Sequence, residues 1–143
     1  MKNQALSYKA FVDKLRDNEV DALKANPVLV VCNDGECSDR IAGAIRKRGL
    51  EAICCPSVTD ARSLLSQLRF SLVLCSDTLP DGEARSVIRV AGTVPLIVLS
   101  RRAEWEAYLD ALEYGAFDYI SCPPSDIAET DRILRLALNR SVP

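Results

Sequence analysis

The chemistry open to this 143-residue chain is narrow, because it carries six cysteines and twenty acidic residues but no histidine. That removes the commonest general base and the commonest transition-metal ligand together. The polar residues to read are those closing short apolar runs. They are Cys32-Asn33-Asp34 after "PVLVV", Ser76-Asp77 after "FSLVLC", Ser100 after "VPLIVL" and Cys122 after "FDYIS". A carboxylate at such a point can act as a nucleophile or a ligand for a hard cation, and a thiol can respond to oxidants or bind a soft metal. Ser76 as a nucleophile would need a lysine or carboxylate base, and none stands at a recognisable spacing. No enzyme is expected. The cysteines lack zinc-finger spacing, since Cys32 and Cys37 are five apart and Cys54 and Cys55 adjacent.

Positioning those residues falls to an alternation of two periods. Nearly continuous apolar runs at "PVLVVC" (27–32), "EAICC" (51–55), "FSLVLC" (70–75), "VPLIVLS" (94–100) and "FDYISC" (117–122) suit strands covered on both faces. Helical stripes lie between them: Ile41, Ala44 and Ile45, closed by Gly49; Val58, Ala61, Leu64, Leu65 and Leu68; Val87, Ile88 and Val90 between Gly82 and Gly92; and Trp105, Leu109 and Leu112, closed by Gly115. A last helix starts near Ser125 or Asp126 and carries Ile127, Ile133, Leu134, Ala137 and Leu138. Strands alternating with helices predict an α/β fold, a doubly wound parallel sheet of five strands in the flavodoxin-like order 2-1-3-4-5. Such sheets place their site at the carboxyl ends of the strands, where the polar residues named above stand.

Residues 1–26 fall outside the pattern and are expected to form an N-terminal helical extension, amphipathic through Tyr8, Phe11, Val12 and Leu15, ahead of a domain spanning 27–140. That extension either folds back on the domain or serves as a dimerisation or docking element. Composition is ordinary for a globular domain, at 48% hydrophobic and 27% charged, and the net charge of −2 calls for neither nucleic acid nor an anionic membrane. The basic runs "RKR" (46–48) and "RR" (101–102) read as solvated faces. No apolar run approaches the roughly 20 residues of a membrane span, and the N-terminus lacks a signal-peptide core. A cytoplasmic location with reduced thiols is expected.

The strand ends resemble the receiver domain of bacterial two-component response regulators over about residues 27–140. The resemblance rests on "LPDG" (79–82) after the third strand, "VPLIVLS" (94–100) as the fourth and "ALEYGAFDYISCPP" (111–124) through the fifth. It implies an aspartate ending the third strand that accepts a phosphoryl group from a histidine kinase. It also implies an acidic pair that holds Mg²⁺, a strand-ending Ser or Thr, and a lysine that neutralises the transferring group. Carried onto this sequence, the acceptor position is Ser76, the acidic pair falls on Cys32 and Asn33, and the lysine falls on Cys122. Ser100 keeps the hydroxyl and Tyr119 the aromatic switch position.

This pattern implies a degenerate receiver, acting as a stand-alone interaction module for a protein partner, a histidine kinase or another signalling protein, or as a homodimer. No cofactor is expected. One alternative is a working phosphoacceptor at Asp77, brought in by a kink after Cys75, with Asp34 and Asp77 holding Mg²⁺. A second is a thiol sensor of oxidants or a soft metal through Cys32 and Cys122. A flavin is not expected, since "CNDGECSD" (32–39) lacks the glycines and hydroxyls of a phosphate cradle and would repel the anion. Only Ser-Val-Pro follows Arg140, so output is expected in trans, or the chain is a fragment. Receivers often pair through the fourth helix, fifth strand and fifth helix, near which Trp105, Tyr108 and Tyr114 fall; Trp105 itself is expected to pack inward.

Overall fold

Strand residues in this protein divide between two cores by simple alternation, as a pleated chain buried on both faces requires. The computed structural model describes residues 6–7, 26–101, 105–122 and 127–140. Its elements are β1 (Leu6–Ser7), β2 (Val28–Val31), α1 (Gly35–Lys47), β3 (Ala52–Cys55), α2 (Val58–Gln67), β4 (Leu72–Ser76), β5 (Thr78–Leu79), β6 (Gly82–Glu83), α3 (Ala84–Ala91), β7 (Leu96–Ser100), α4 (Trp105–Glu113), β8 (Asp118–Ser121) and α5 (Ile127–Arg140). Leu29, Val31, Val73, Cys75 and Val98 face α2, α3 and Ala111 of α4. Val28, Val30, Leu72, Leu74, Ile97 and Leu99 face α1 and α5 through Ile41, Ile45, Leu134 and Ala137. Helices thus cover both faces.

The main sheet is parallel and ordered β1-β3-β2-β4-β7-β8. Without β1 this is the expected five-strand order. The added strand pairs Leu6 with Ile53 and Ser7 with Cys54, extending the edge beside β3. Two residues carry no periodic signal, which is why the sequence alone does not reveal it. The amphipathic helix expected through Tyr8 and Leu15 lies outside the described residues, as do Ser125 and Asp126.

Helix ends follow the expected chemistry where they are described. Gly49, Gly92 and Gly115 each adopt positive φ just beyond α1, α3 and α4, a region L-residues avoid. The "LPDG" run folds as a tight antiparallel hairpin, with Thr78 opposite Glu83 and Leu79 opposite Gly82. Gly82 is needed for a different reason: a Cβ there would sit 2.9 Å from the Val58 side chain. The hairpin therefore presses against the start of α2. Asp81 at its tip accepts the Val58 and Thr59 amides at 2.8 and 3.0 Å, and the Thr59 hydroxyl at 2.7 Å.

One expected face is overturned. Trp105 does not pack inward; it is 69% exposed, and Leu109 is 44% exposed. α4 meets the core through Ala111, whose small side chain is buried, and so turns Trp105 and Leu109 outward while Tyr108 and Leu112 stay partly buried. Periodicity finds an apolar stripe, but not which stripe the sheet covers.

Candidate functional site

At the carboxyl ends of β2, β4, β7 and β8 the backbone leaves the sheet and side chains converge on a cleft of about 390 Å³. Cys32, Asn33, Asp34, Ser76, Asp77, Ser100 and Cys122 all line it, joined by Cys37, Thr78, Leu99 and Arg101. Seven residues singled out by sequence are thus brought together. Tyr119 stands apart: its ring packs edge-on against Tyr108, with centroids 6.0 Å apart.

The Asp34 carboxylate has two roles. It caps α1, its Oδ1 accepting the Glu36 and Cys37 amides at 3.1 and 3.3 Å, while Oδ2 is ion-paired with Arg101. A carboxylate at a helix N-terminus is favoured by the peptide dipoles, which explains the cap. The Cys32 thiol lies beneath and accepts the Asp34 amide at 3.4 Å. Burial pushes the Cys32 thiol pKa up, opposed by a hydrogen bond with Ser76 and the charge of Arg101.

β4 keeps the alternation expected from its sequence, Leu72 and Leu74 facing one core and Val73 and Cys75 the other. Ser76 ends the strand half-buried, and the amide of Asp77 still bonds the carbonyl of Leu99 at 2.9 Å. The Asp77 side chain nevertheless reaches the cleft, where its Oδ2 accepts the buried Ser100 hydroxyl at 2.8 Å. No register slip is needed to bring it there, because the strand ends at Ser76 and the chain turns directly after Asp77 into the Thr78–Glu83 hairpin.

Cys122 follows β8 directly and is bridged to Cys37 in the first turn of α1, with Cα atoms 5.6 Å apart. The thiol pairing weighed from sequence, Cys32 with Cys122, is therefore corrected: Cys32 is unbridged and Cys37 is the partner. α1 places Cys37 over the end of β8, a juxtaposition across 85 positions that spacing does not reveal. Arg101 was also missed, read only as part of a short basic run. Its signal was its place, one residue past a strand-ending serine.

The residues present do not fit a divalent-cation site of the receiver kind. Mg²⁺ wants a set of hard oxygen ligands in octahedral geometry. The two positions that the resemblance assigns to the acidic pair, Cys32 and Asn33, carry a thiol and an exposed amide, and Asp34 is held by Arg101 and the helix cap. Among the described residues no group of three or more Cys, Asp or Glu is arranged to hold a metal. The position that the resemblance assigns to the lysine is Cys122, and among the described residues lining the cleft the one cationic side chain is Arg101, paired with Asp34.

No family model matches the sequence. The chain is 30% identical over 100 residues to the swarming motility regulation protein RssB of Serratia marcescens, covering 67% of this chain and 46% of that protein. It is 30% identical over 125 residues to the protein PetR of Rhodobacter capsulatus, covering 82% of this chain and 50% of that one. The chain thus spans about half the length of these relatives. Among solved structures, the BeF3-activated N-terminal receiver domain of Klebsiella pneumoniae RstA superposes with a TM-score of 0.70 at 25% identity, over 79% of this chain and 98% of that one. A doubly wound sheet of this order, with its cleft at the strand ends and relatives of this kind, identifies the chain as carrying a response-regulator receiver domain.

Proposed function

We propose that this receiver domain works in signal transduction as a protein-interaction module whose state is not set by phosphoryl transfer to the strand-end aspartate position. The observation that supports this reading is the make-up of the cleft: the positions that the resemblance assigns to the acceptor carboxylate and the lysine, Ser76 and Cys122, line it as a hydroxyl and a bridged cysteine. A hydroxyl without a base is a poor acceptor, and without the lysine the charge on a transferring group goes uncompensated.

The face offered to a partner is the outer surface of α4 beside β8. Trp105 and Leu109 are exposed there, and the rings of Trp105, Tyr108 and Tyr119 form a chain with centroids 5.3 and 6.0 Å apart. Exposed aromatic anchors of this kind contribute heavily to protein interfaces. The occupant is a protein, either a signalling partner or a second copy of this chain.

A specific observation favours a second reading, a phosphoacceptor at Asp77: its carboxylate lies in the cleft within hydrogen-bond reach of Ser100. Intact-mass spectrometry after incubation with acetyl phosphate and Mg²⁺, beside Asp77→Asn and Ser76→Ala, separates the two. No adduct in any form is expected. A phosphoryl adduct on the wild type that disappears in Asp77→Asn would overturn the first reading and establish the second.

A further inference from the structure

Two cysteines meet in the wall of the cleft, while the other four of the chain are unbridged. Cys37 and Cys122 have Cα atoms 5.6 Å apart, inside the range of roughly 4.4–6.8 Å that a disulfide spans without backbone movement. Both residues are almost wholly buried, at 2% and 5% exposure, yet both line the cleft, which opens to solvent at the strand ends. A small oxidant or thiol reagent therefore has a path to them. Cys55 and Cys75 lie in the opposite core under α2 and α3, where burial pushes the Cys55 thiol up to about 12 and the Cys75 thiol well above its usual range. Those thiols fill space.

The bridge also joins two walls of the cleft that no other covalent link holds. Cys37 lies in the first turn of α1, three residues beyond the Asp34 cap, and Cys122 directly follows β8 with its amide bonded to the Ser100 carbonyl at 2.9 Å. Without it, among the described residues, this end of α1 is held to the sheet by core packing through Ile41 and Ile45 and by the Asp34–Arg101 ion pair.

We propose that Cys37 and Cys122 form a reversible dithiol–disulfide site, oxidised by a peroxide or by a small disulfide, whose redox state sets whether α1 is tied to the end of β8. This goes beyond the interaction-module reading and stands whether or not Asp77 accepts a phosphoryl group. With hydrogen peroxide, one thiolate attacks an oxygen, the O–O bond breaks, and a sulfenic acid and hydroxide form. The second thiol then attacks that sulfur, the S–O bond breaks, and the released hydroxide takes up the second thiol's proton as water. Two thiols and one peroxide yield one disulfide and two waters, the two electrons coming from the two sulfurs. An external dithiol reverses it by exchange. Cys37 is the natural first nucleophile, since a helix's first turn favours a thiolate.

The test uses the full chain, reduced with dithiothreitol, desalted and exposed to hydrogen peroxide or to graded glutathione buffers. Readouts are differential alkylation, peptide mapping and thermal unfolding. Oxidation is expected to consume two of the six thiols, yield a peptide linking Cys37 to Cys122, and raise the melting temperature by about 5–15 °C. Dithiothreitol under native conditions restores the starting values. Cys122→Ser and Cys37→Ser should lose both the link and the shift, and Cys32→Ser should keep them. Should a variant fail to fold, mapping of the wild type alone decides. A link through Cys32, no link between Cys37 and Cys122 under oxidant, or a bridge that native dithiothreitol leaves intact would each overturn the proposal.

Discussion

The guanidinium of Arg101 is ion-paired with the carboxylate of Asp34, 67 positions earlier in the chain, across the mouth of the cleft. The pair supplies within the chain the positive charge that a bound cation would otherwise bring to Asp34. It also joins the end of β7 to the cap of α1, so one carboxylate serves the helix and the cleft together.

Because the two side chains are 62% and 31% exposed, the ion pair itself contributes little. Arg101→Ala is expected to lower stability by no more than about 0.5 kcal/mol, and by less at high salt. Asp34→Ala loses the cap as well and should cost about 1 kcal/mol, largely independent of salt. Urea unfolding at low and high ionic strength measures both. Equal losses with equal salt dependence would mean the cap contributes nothing.

Asp81 gives the clearest pH signature. Hydrogen bonds from the Thr59 hydroxyl and the Val58 and Thr59 amides hold its pKa below the ordinary carboxylate value. A depressed carboxylate contributes stability above its unfolded pKa and loses it as pH falls through the folded one. Asp81→Asn should therefore melt at a lower temperature than the wild type at neutral pH. The gap should close in acid, below the wild type's depressed value. A gap unchanged from pH 7 into acid would show that the hairpin, rather than the charge, holds α2.

Trp105, the single tryptophan, reports on the α4 face. Its 69% exposure predicts an emission maximum typical of hydrated indole and ready quenching by acrylamide. Raising the protein concentration should shift the maximum to the blue only if that face joins two copies, and sedimentation velocity provides the independent mass. A blue-shifted, quencher-resistant emission in dilute monomer would contradict the exposed face.

Two leucines of α5 separate core from surface. Leu134 is fully buried against the α1 side of the sheet, and Leu136 is 45% exposed. Leu134→Ala should cost about 2–5 kcal/mol through lost transfer energy and a residual cavity. Leu136→Ala should stay within about 0.5 kcal/mol. Chemical denaturation tests the pair, and a reversal of the order would mean α5 is rotated on the sheet.

Much of the fold was legible before any coordinates. Runs such as Val28–Val31 and Leu72–Cys75 are apolar at every position, so each had to be covered on both faces, which forces helices onto both sides of a parallel sheet. That same logic put Cys32, Ser76, Ser100 and Cys122 at one end, because parallel strands share a carboxyl edge. The two-residue strand at Leu6 and the outward turn of Trp105 were not legible. The first is too short to have a period, and the second depends on which stripe of α4 the sheet covers.

By itself the sequence determined the alternation of strands and helices, the closing glycines Gly49 and Gly115, and the set of strand-end residues, because these depend on local periods and backbone preferences that each short segment carries within itself. Only the tertiary structure decided who meets whom at the cleft: Arg101 with Asp34, Ser100 with Asp77, Cys37 with Cys122. Those partners lie 67, 23 and 85 positions apart. Their meeting depends on sheet order and helix rotation, which are fixed by the packing of both cores at once and by no segment alone.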